Sequence, residues 1–131
     1  MLTIRTAQLD ILPGNIRANW ALIKKEIALA KEEGSDLLVL PEMCLTGYLI
    51  GDLWDQNAFL REAERYNDHL REAAQGLAIA WGNVAIDWTK TNDDGRPRKY
   101  NAALLAKDGA FLSPEGLHRP YAVKALLPNY R

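Results

Sequence analysis

The sequence is poor in the residues that carry redox or metal chemistry. It has a single cysteine among 131 residues, so no internal disulfide is available, and its two histidines, His69 and His118, stand apart from any cysteine or carboxylate cluster. No metal site is expected. No apolar run approaches the roughly 18 residues that span a bilayer, and the opening MLTIRTAQLD lacks the charged-then-apolar layout of a secretory signal. The expectation is a cytoplasmic chain with no membrane partner. Nor is charge of one sign in excess: 16 basic and 17 acidic residues are interspersed and leave a formal charge of -1. A phosphate backbone would require a basic stripe, so nucleic acid is not an expected partner. Repeats, low-complexity tracts and interdomain linkers are missing too. What is present, 48% hydrophobic residues, suffices for one domain burying about two-thirds of its unfolded surface.

Periodicity supplies the elements. Thr3 to Leu9 reads as a strand closed by Pro13 and Gly14. From Asn15 the residues Ile16, Trp20, Ile23, Ile27 and Ala30 recur at four-and-three spacing, with Asn15 or Gly14 as N-cap and Gly34 as the stop, which predicts a helix. Asp36 to Pro41 is a continuous apolar run between turn residues, the pattern of a strand buried on both faces. Glu42 stands at its carboxyl end. Phe59, Ala63, Tyr66, Leu70 and Ala73 write a second helix closed by Gly76, with His69 off its face. Leu77 to Trp88 and Tyr100 to Ala106 predict an antiparallel strand pair around the polar loop TKTNDDGRPRK. Asp108-Gly109 is the dipeptide of a type I′ hairpin turn, and the proline-rich tail from Ser113 reads as loop around a short strand or turn. The order predicts an α/β fold, a mixed sheet with both helices on one face. Reactive groups in such sheets gather beyond the carboxyl ends of the strands, which is where Glu42 lies.

In LPEMCLTGY, Glu42 precedes Cys44 by two residues. A carboxylate beside a thiol is an economical way to activate a sulfur nucleophile, and in an extended segment residues two apart point to the same side. Against this stands the commonest state of a free cysteine, a small buried hydrophobe.

Three segments, LPEMCLTGYLIGDLW from Leu40, YNAALLAKDG from Tyr100 and KALLPNY from Lys124, resemble in order the signature blocks of the carbon-nitrogen hydrolase (nitrilase) superfamily. Within it the sequence most resembles the N-terminal glutaminase domain of glutamine-dependent NAD synthetase. The resemblance runs over all 131 residues but over only about the first half of such a domain. It implies a four-layer α-β-β-α sandwich and a thiol amidase whose glutamate, lysine and cysteine come from three loops. Glu42 falls on the family's general base and Lys124 on its lysine, while Tyr48 and Tyr130 fall on the glutamine pocket. The family's nucleophile comes from a loop later than the lysine. Cys44 does not match it, and the nucleophile is expected beyond Arg131. The resemblance further implies glutamine as substrate, no cofactor for its hydrolysis, and ATP and magnesium only for a C-terminal synthetase domain absent from these residues. One departure stands at the lysine: Val123 precedes Lys124 where the family often has arginine.

Plainer readings remain beside these. Glu42 alone is a strand-end carboxylate, Lys124 a solvated lysine and Tyr48 an aromatic wedge. Both histidines read as surface residues. Asn92-Asp93-Asp94-Gly95 lacks the glutamate that closes a calcium loop and is a turn. The four tryptophans read as packing. A half-domain would leave an apolar sheet face open, so self-association as a homo-oligomer is expected. The rival functions are another amide hydrolase of the superfamily, a non-catalytic interaction protein, and an enzyme using Cys44 itself.

Overall fold

The computed structural model describes residues 1–113 and 121–124. Three strands run parallel, β1 (Ile4–Thr6), β2 (Leu37–Val39) and β3 (Ala78–Thr91), and β3 pairs antiparallel with β4 (Pro97–Lys107). Two short strands, β5 (Ala110–Phe111) and β6 (Tyr121–Val123), both pair with β4. The helices are α1 (Ile16–Glu32) and α2 (Asn57–Ala73), with a 3-10 turn at Gly51–Asp55 between β2 and α2.

Local chemistry fixes the ends. Asn15 caps α1 by accepting the Ala18 N–H at 3.1 Å, and Gly34 leaves the helix at a φ of +74°, which only glycine adopts without strain. Asp108 and Gly109 both have positive φ, as a type I′ turn requires. The first strand is shorter than expected: pairing ends after the Ala7 N–H bond to Val39, and the chain then turns through Leu9 to Ile11.

Residues paired across neighbouring strands share a face, so the register reports which way each side chain points. Leu38 pairs with Ile79, and Ile79 with Ala106. Both helices cover that face. Arg5, paired with Leu38, bonds Glu26 of α1 at 2.8 Å, while Trp81 and Asn83 bond Asn67 of α2, each at 2.9 Å. Where the helices meet, Trp20, Tyr66 and His69 pack their rings together, so His69 is half-buried in an aromatic cluster rather than on the open surface. Ile23, Leu38, Leu60, Leu70 and Ile79 are fully buried. Each such side chain contributes roughly 1.5–3 kcal/mol against about 1 kcal/mol for a cap, so the apolar stripes hold the helices and the caps only trim them.

The opposite face is open among the described residues. Val39, Ala80, Ala103, Leu105 and Ala122 lie on it and none is fully buried, which corrects the expectation that residues 36–41 are buried on both sides. Among the described residues only one face carries helices.

One polar side chain locks the loop that follows β2. Asn19, fully buried, takes the Leu12 N–H on Oδ1 at 2.7 Å and donates from Nδ2 to the carbonyls of Leu12 and Leu45 at 2.9 and 2.8 Å. A near-isosteric apolar replacement would leave buried backbone groups unpaired, at about 1–3 kcal/mol each. Asn19→Leu is therefore expected to lower unfolding stability by at least about 2 kcal/mol in a denaturant titration, whereas exposed Lys24→Ala on the same helix should be close to neutral.

Candidate active site

The segment after β2 stays attached to β3 on both sides of Glu42. The Leu40 N–H bonds the Ala80 carbonyl at 2.8 Å, the Gly82 N–H bonds the Pro41 carbonyl at 3.2 Å, and the Cys44 N–H bonds the Gly82 carbonyl at 3.0 Å. Between these bonds Met43 takes a φ of +48°, unusual for a residue with a side chain. Gly82 makes the approach possible: a Cβ there would stand 2.6 Å from Glu42 Cα and 3.0 Å from the Met43 nitrogen. The kink lifts the Glu42 carboxylate into an open depression of about 400 Å³ on the helix-free face, bordered by Val39, Gly82, Asn101, Ala122 and Lys124.

Two of the sequence-predicted residues meet there. Lys124, at the end of β6, places Nζ 3.2 Å from Glu42 Oε1 although 82 positions separate them. Both side chains are substantially exposed, 39% and 44%, so the pair adds little to stability. Its significance is chemical. Oε1 also accepts the side-chain N–H of Asn101 on β4 at 2.5 Å, and the Tyr48 hydroxyl donates to the same carboxylate. The Tyr48 bond, followed by those from Asn101 and Lys124 and the Lys124 charge, holds the Glu42 pKa below the ordinary carboxylate range against the opposing effect of partial burial. Tyr48 is itself tethered through its carbonyl, which accepts the Trp54 indole N–H at 3.1 Å. The depression thus brings together Glu42 and Lys124, while Tyr48 reaches the Glu42 carboxylate without lining the depression. Tyr130, the other expected pocket residue, and His118 lie outside the described residues.

Cys44 is in a different environment. It is fully buried, and burial pushes its thiol up to about 12, with backbone hydrogen bonds pulling part of the way back. The positive φ at Met43 breaks the alternation that would set residues 42 and 44 on one side, so one side chain faces solvent and the other the core. At neutral pH Cys44 is a protonated thiol. Among the described residues no group of three or more histidine, cysteine or carboxylate side chains is placed to hold a metal ion, and no helix is long and apolar enough to cross a membrane.

Sequence reasoning passed over two residues here. Asn101 belongs to the quoted YNAALLAKDG block yet received no role; its signal is a polar side chain inside an apolar strand, and it is 9% exposed. Gly82 carried a weaker signal, an isolated glycine in a strand, which marks close backbone approach.

The carbon-nitrogen hydrolase family model matches residues 3–121. The chain belongs to that family. Over 129 residues it is 33% identical to the glutamine-dependent NAD(+) synthetase of Thermotoga maritima, covering 98% of this chain and 20% of that relative. Among solved structures, the glutamine-dependent NAD(+) synthetase of Cytophaga hutchinsonii superposes with a TM-score of 0.78 at 23% identity, covering 98% of this chain and 20% of that one. The NitN amidase of Nesterenkonia sp. AN1 gives a TM-score of 0.78 at 22% identity over 99% of this chain and 46% of its own. The chain therefore spans about a fifth of the length of these synthetases. The structural likenesses identify the carbon-nitrogen hydrolase fold, and the sheet with two helices on one face fits one side of its α-β-β-α sandwich.

Two outcomes follow from the titrating groups. Cys44 in the folded chain should resist a disulfide exchange reagent at pH 8 and react fully once guanidinium unfolds it; because its folded pKa is raised from 9.0 to about 12, stability is retained below 9.0 and declines as pH climbs toward 12. Glu42 behaves in the opposite sense. Its folded pKa is depressed, so its contribution is present above the unfolded value near 4.5 and is lost as pH falls through the folded value. The stability difference between wild type and Glu42→Gln, measured by thermal melts across acid pH, should shrink as pH drops.

Proposed function

We propose that this chain is the N-terminal part, residues 1–131, of a glutaminase domain that hydrolyses the side-chain amide of glutamine and supplies ammonia for NAD synthesis. The observation that carries the reading is the Glu42–Lys124 contact at the carboxyl ends of β2 and β6, a carboxylate kept ionised beside an ammonium group in an open depression. The synthetase relatives support glutamine as the amide donor.

In this mechanism Glu42 accepts the proton of a cysteine thiol lying outside the described residues, and the thiolate attacks the amide carbon. The Lys124 ammonium faces the oxygen that gains negative charge in the tetrahedral intermediate. As the intermediate collapses, Glu42 returns the proton to the leaving nitrogen and ammonia departs, leaving a thioester. Water, deprotonated by Glu42, then releases glutamate and regenerates the thiol. A sulfur nucleophile in this fold finds support in the Nesterenkonia sp. AN1 amidase, of which a glutamate-to-glutamine mutant carries the Michael adduct of acrylamide at the active site cysteine. The hydrolysis needs no cofactor; ATP and magnesium belong to the amidating synthetase domain, which is the expected partner of this one in the cytoplasm. The open apolar face at Val39, Ala80 and Leu105 supports self-association or a further layer of structure over it.

A second reading, hydrolysis of another small amide, draws on the equal TM-scores of 0.78 to a synthetase and to an amidase. In the native gene product, Glu42→Gln should lower glutamine hydrolysis by about 10²–10⁴-fold and Lys124→Met by about 10²–10³-fold, with the fold intact by circular dichroism. Hydrolysis of butyramide with no hydrolysis of glutamine would favour the second reading. No hydrolysis of either amide by the wild type would favour a non-catalytic role.

A further inference from the structure

The YNAALLAKDG segment contributes one side chain to the depression whose role neither the mechanism nor the pocket accounts for. Asn101 sits on β4, between the strand that approaches the Glu42 loop and the strand that ends just before Lys124. Its side-chain N–H donates to Glu42 Oε1 at 2.5 Å, and its own main-chain carbonyl accepts the Lys124 N–H at 2.9 Å. A single residue therefore holds the carboxylate by its side chain and the lysine by its backbone. Its burial is consistent with a fixed rotamer rather than a mobile surface contact.

We infer that Asn101 is a positioning residue that fixes the Glu42 carboxylate and keeps it ionised opposite Lys124. The inference rests on the reading of Glu42 as a general base, and it names the device that readies that base. The amide suits the task for a specific reason. It donates without carrying a charge and without titrating, so it stabilises the carboxylate at every pH while leaving Lys124 as the sole cation on the depression among the described residues. Aspartate in its place would set a second carboxylate against the first. Leucine, of similar shape, would fill the same space with no donor. Among the described residues, the other groups bonded to the carboxylate are the Tyr48 hydroxyl from the loop and the Lys124 ammonium just after β6, and both variants retain these residues.

The test follows the side-chain carboxyl carbon of Glu42 by NMR through a pH titration of the native gene product. Relative to wild type, Asn101→Leu should raise the Glu42 midpoint toward the ordinary carboxylate range, and Asn101→Asp should raise it further and broaden the curve as two coupled carboxyls titrate. Asp87, whose carboxyl is held low by its own bonds to Thr89, serves as the internal control and should keep its midpoint in both variants. A purely structural Asn101 would leave the Glu42 midpoint unmoved in folded Asn101→Leu, and that result overturns the inference; the rise in Asn101→Asp reports only that position 101 faces the carboxylate. Should Asn101→Leu fail to fold, the smaller Asn101→Ala, which also removes the donor without adding charge, carries the decision. The titration does not depend on turnover: loss of the catalytic reading would appear as undiminished hydrolysis by Glu42→Gln, whatever the midpoints do.

Discussion

No side chain fits between the backbone of β3 at Gly82 and the backbone of Glu42, and that constraint organises the site. Because Gly82 has no Cβ, the segment 41–44 keeps hydrogen bonds to β3 both before and after Glu42, and the intervening kink turns the carboxylate out of the sheet plane's packing. The same kink sends Cys44 into the core. One local geometry thus separates an accessible carboxylate from an inaccessible thiol only two residues away, and it answers the question the sequence poses at LPEMCLTGY. Nearness in sequence does not make a catalytic pair here.

Two kinds of force divide the work. The helices are held to the sheet by fully buried aliphatic side chains, whose contribution outweighs that of caps and exposed ion pairs. The site is held by directional polar bonds: Asn19 locks the Leu45 carbonyl, Trp54 tethers Tyr48, and Asn101, Tyr48 and Lys124 converge on Glu42. These bonds add modestly to global stability but set the orientation and ionisation of one carboxylate. That division suits a site built on one rim of a rigid sheet, because the scaffold and the chemistry tolerate change independently.

The parts of the fold legible in the sequence are those with a strong period or a decisive turn residue. The α1 stripe with its Asn15 cap and Gly34 stop, the α2 stripe, and the Asp108-Gly109 turn all stand where their patterns place them. Less legible were features set by a neighbour rather than by the local pattern. The run 36–41 is uniformly apolar, and nothing local says that only one of its faces meets helices. Asn19 and Asn67 occupy positions inside the helical stripes because they satisfy buried partners, which an apolar count misses. At the site, the strand pattern marked only the position of Glu42, and its role and that of Lys124 came through the family's signature blocks. Asn101 was passed over because its significance depends on a side-chain partner in a loop 59 positions away.

The central claim is that Glu42 serves a thiol nucleophile other than Cys44. The most direct measurement is covalent trapping of the native gene product with a diazoketone analogue of glutamine, followed by peptide mass mapping of the modified residue. The account predicts an adduct on a cysteine other than Cys44, the Cys44 peptide unmodified, and loss of the adduct in Glu42→Gln. An adduct on Cys44, or trapping that proceeds unchanged without the Glu42 carboxylate, would contradict it.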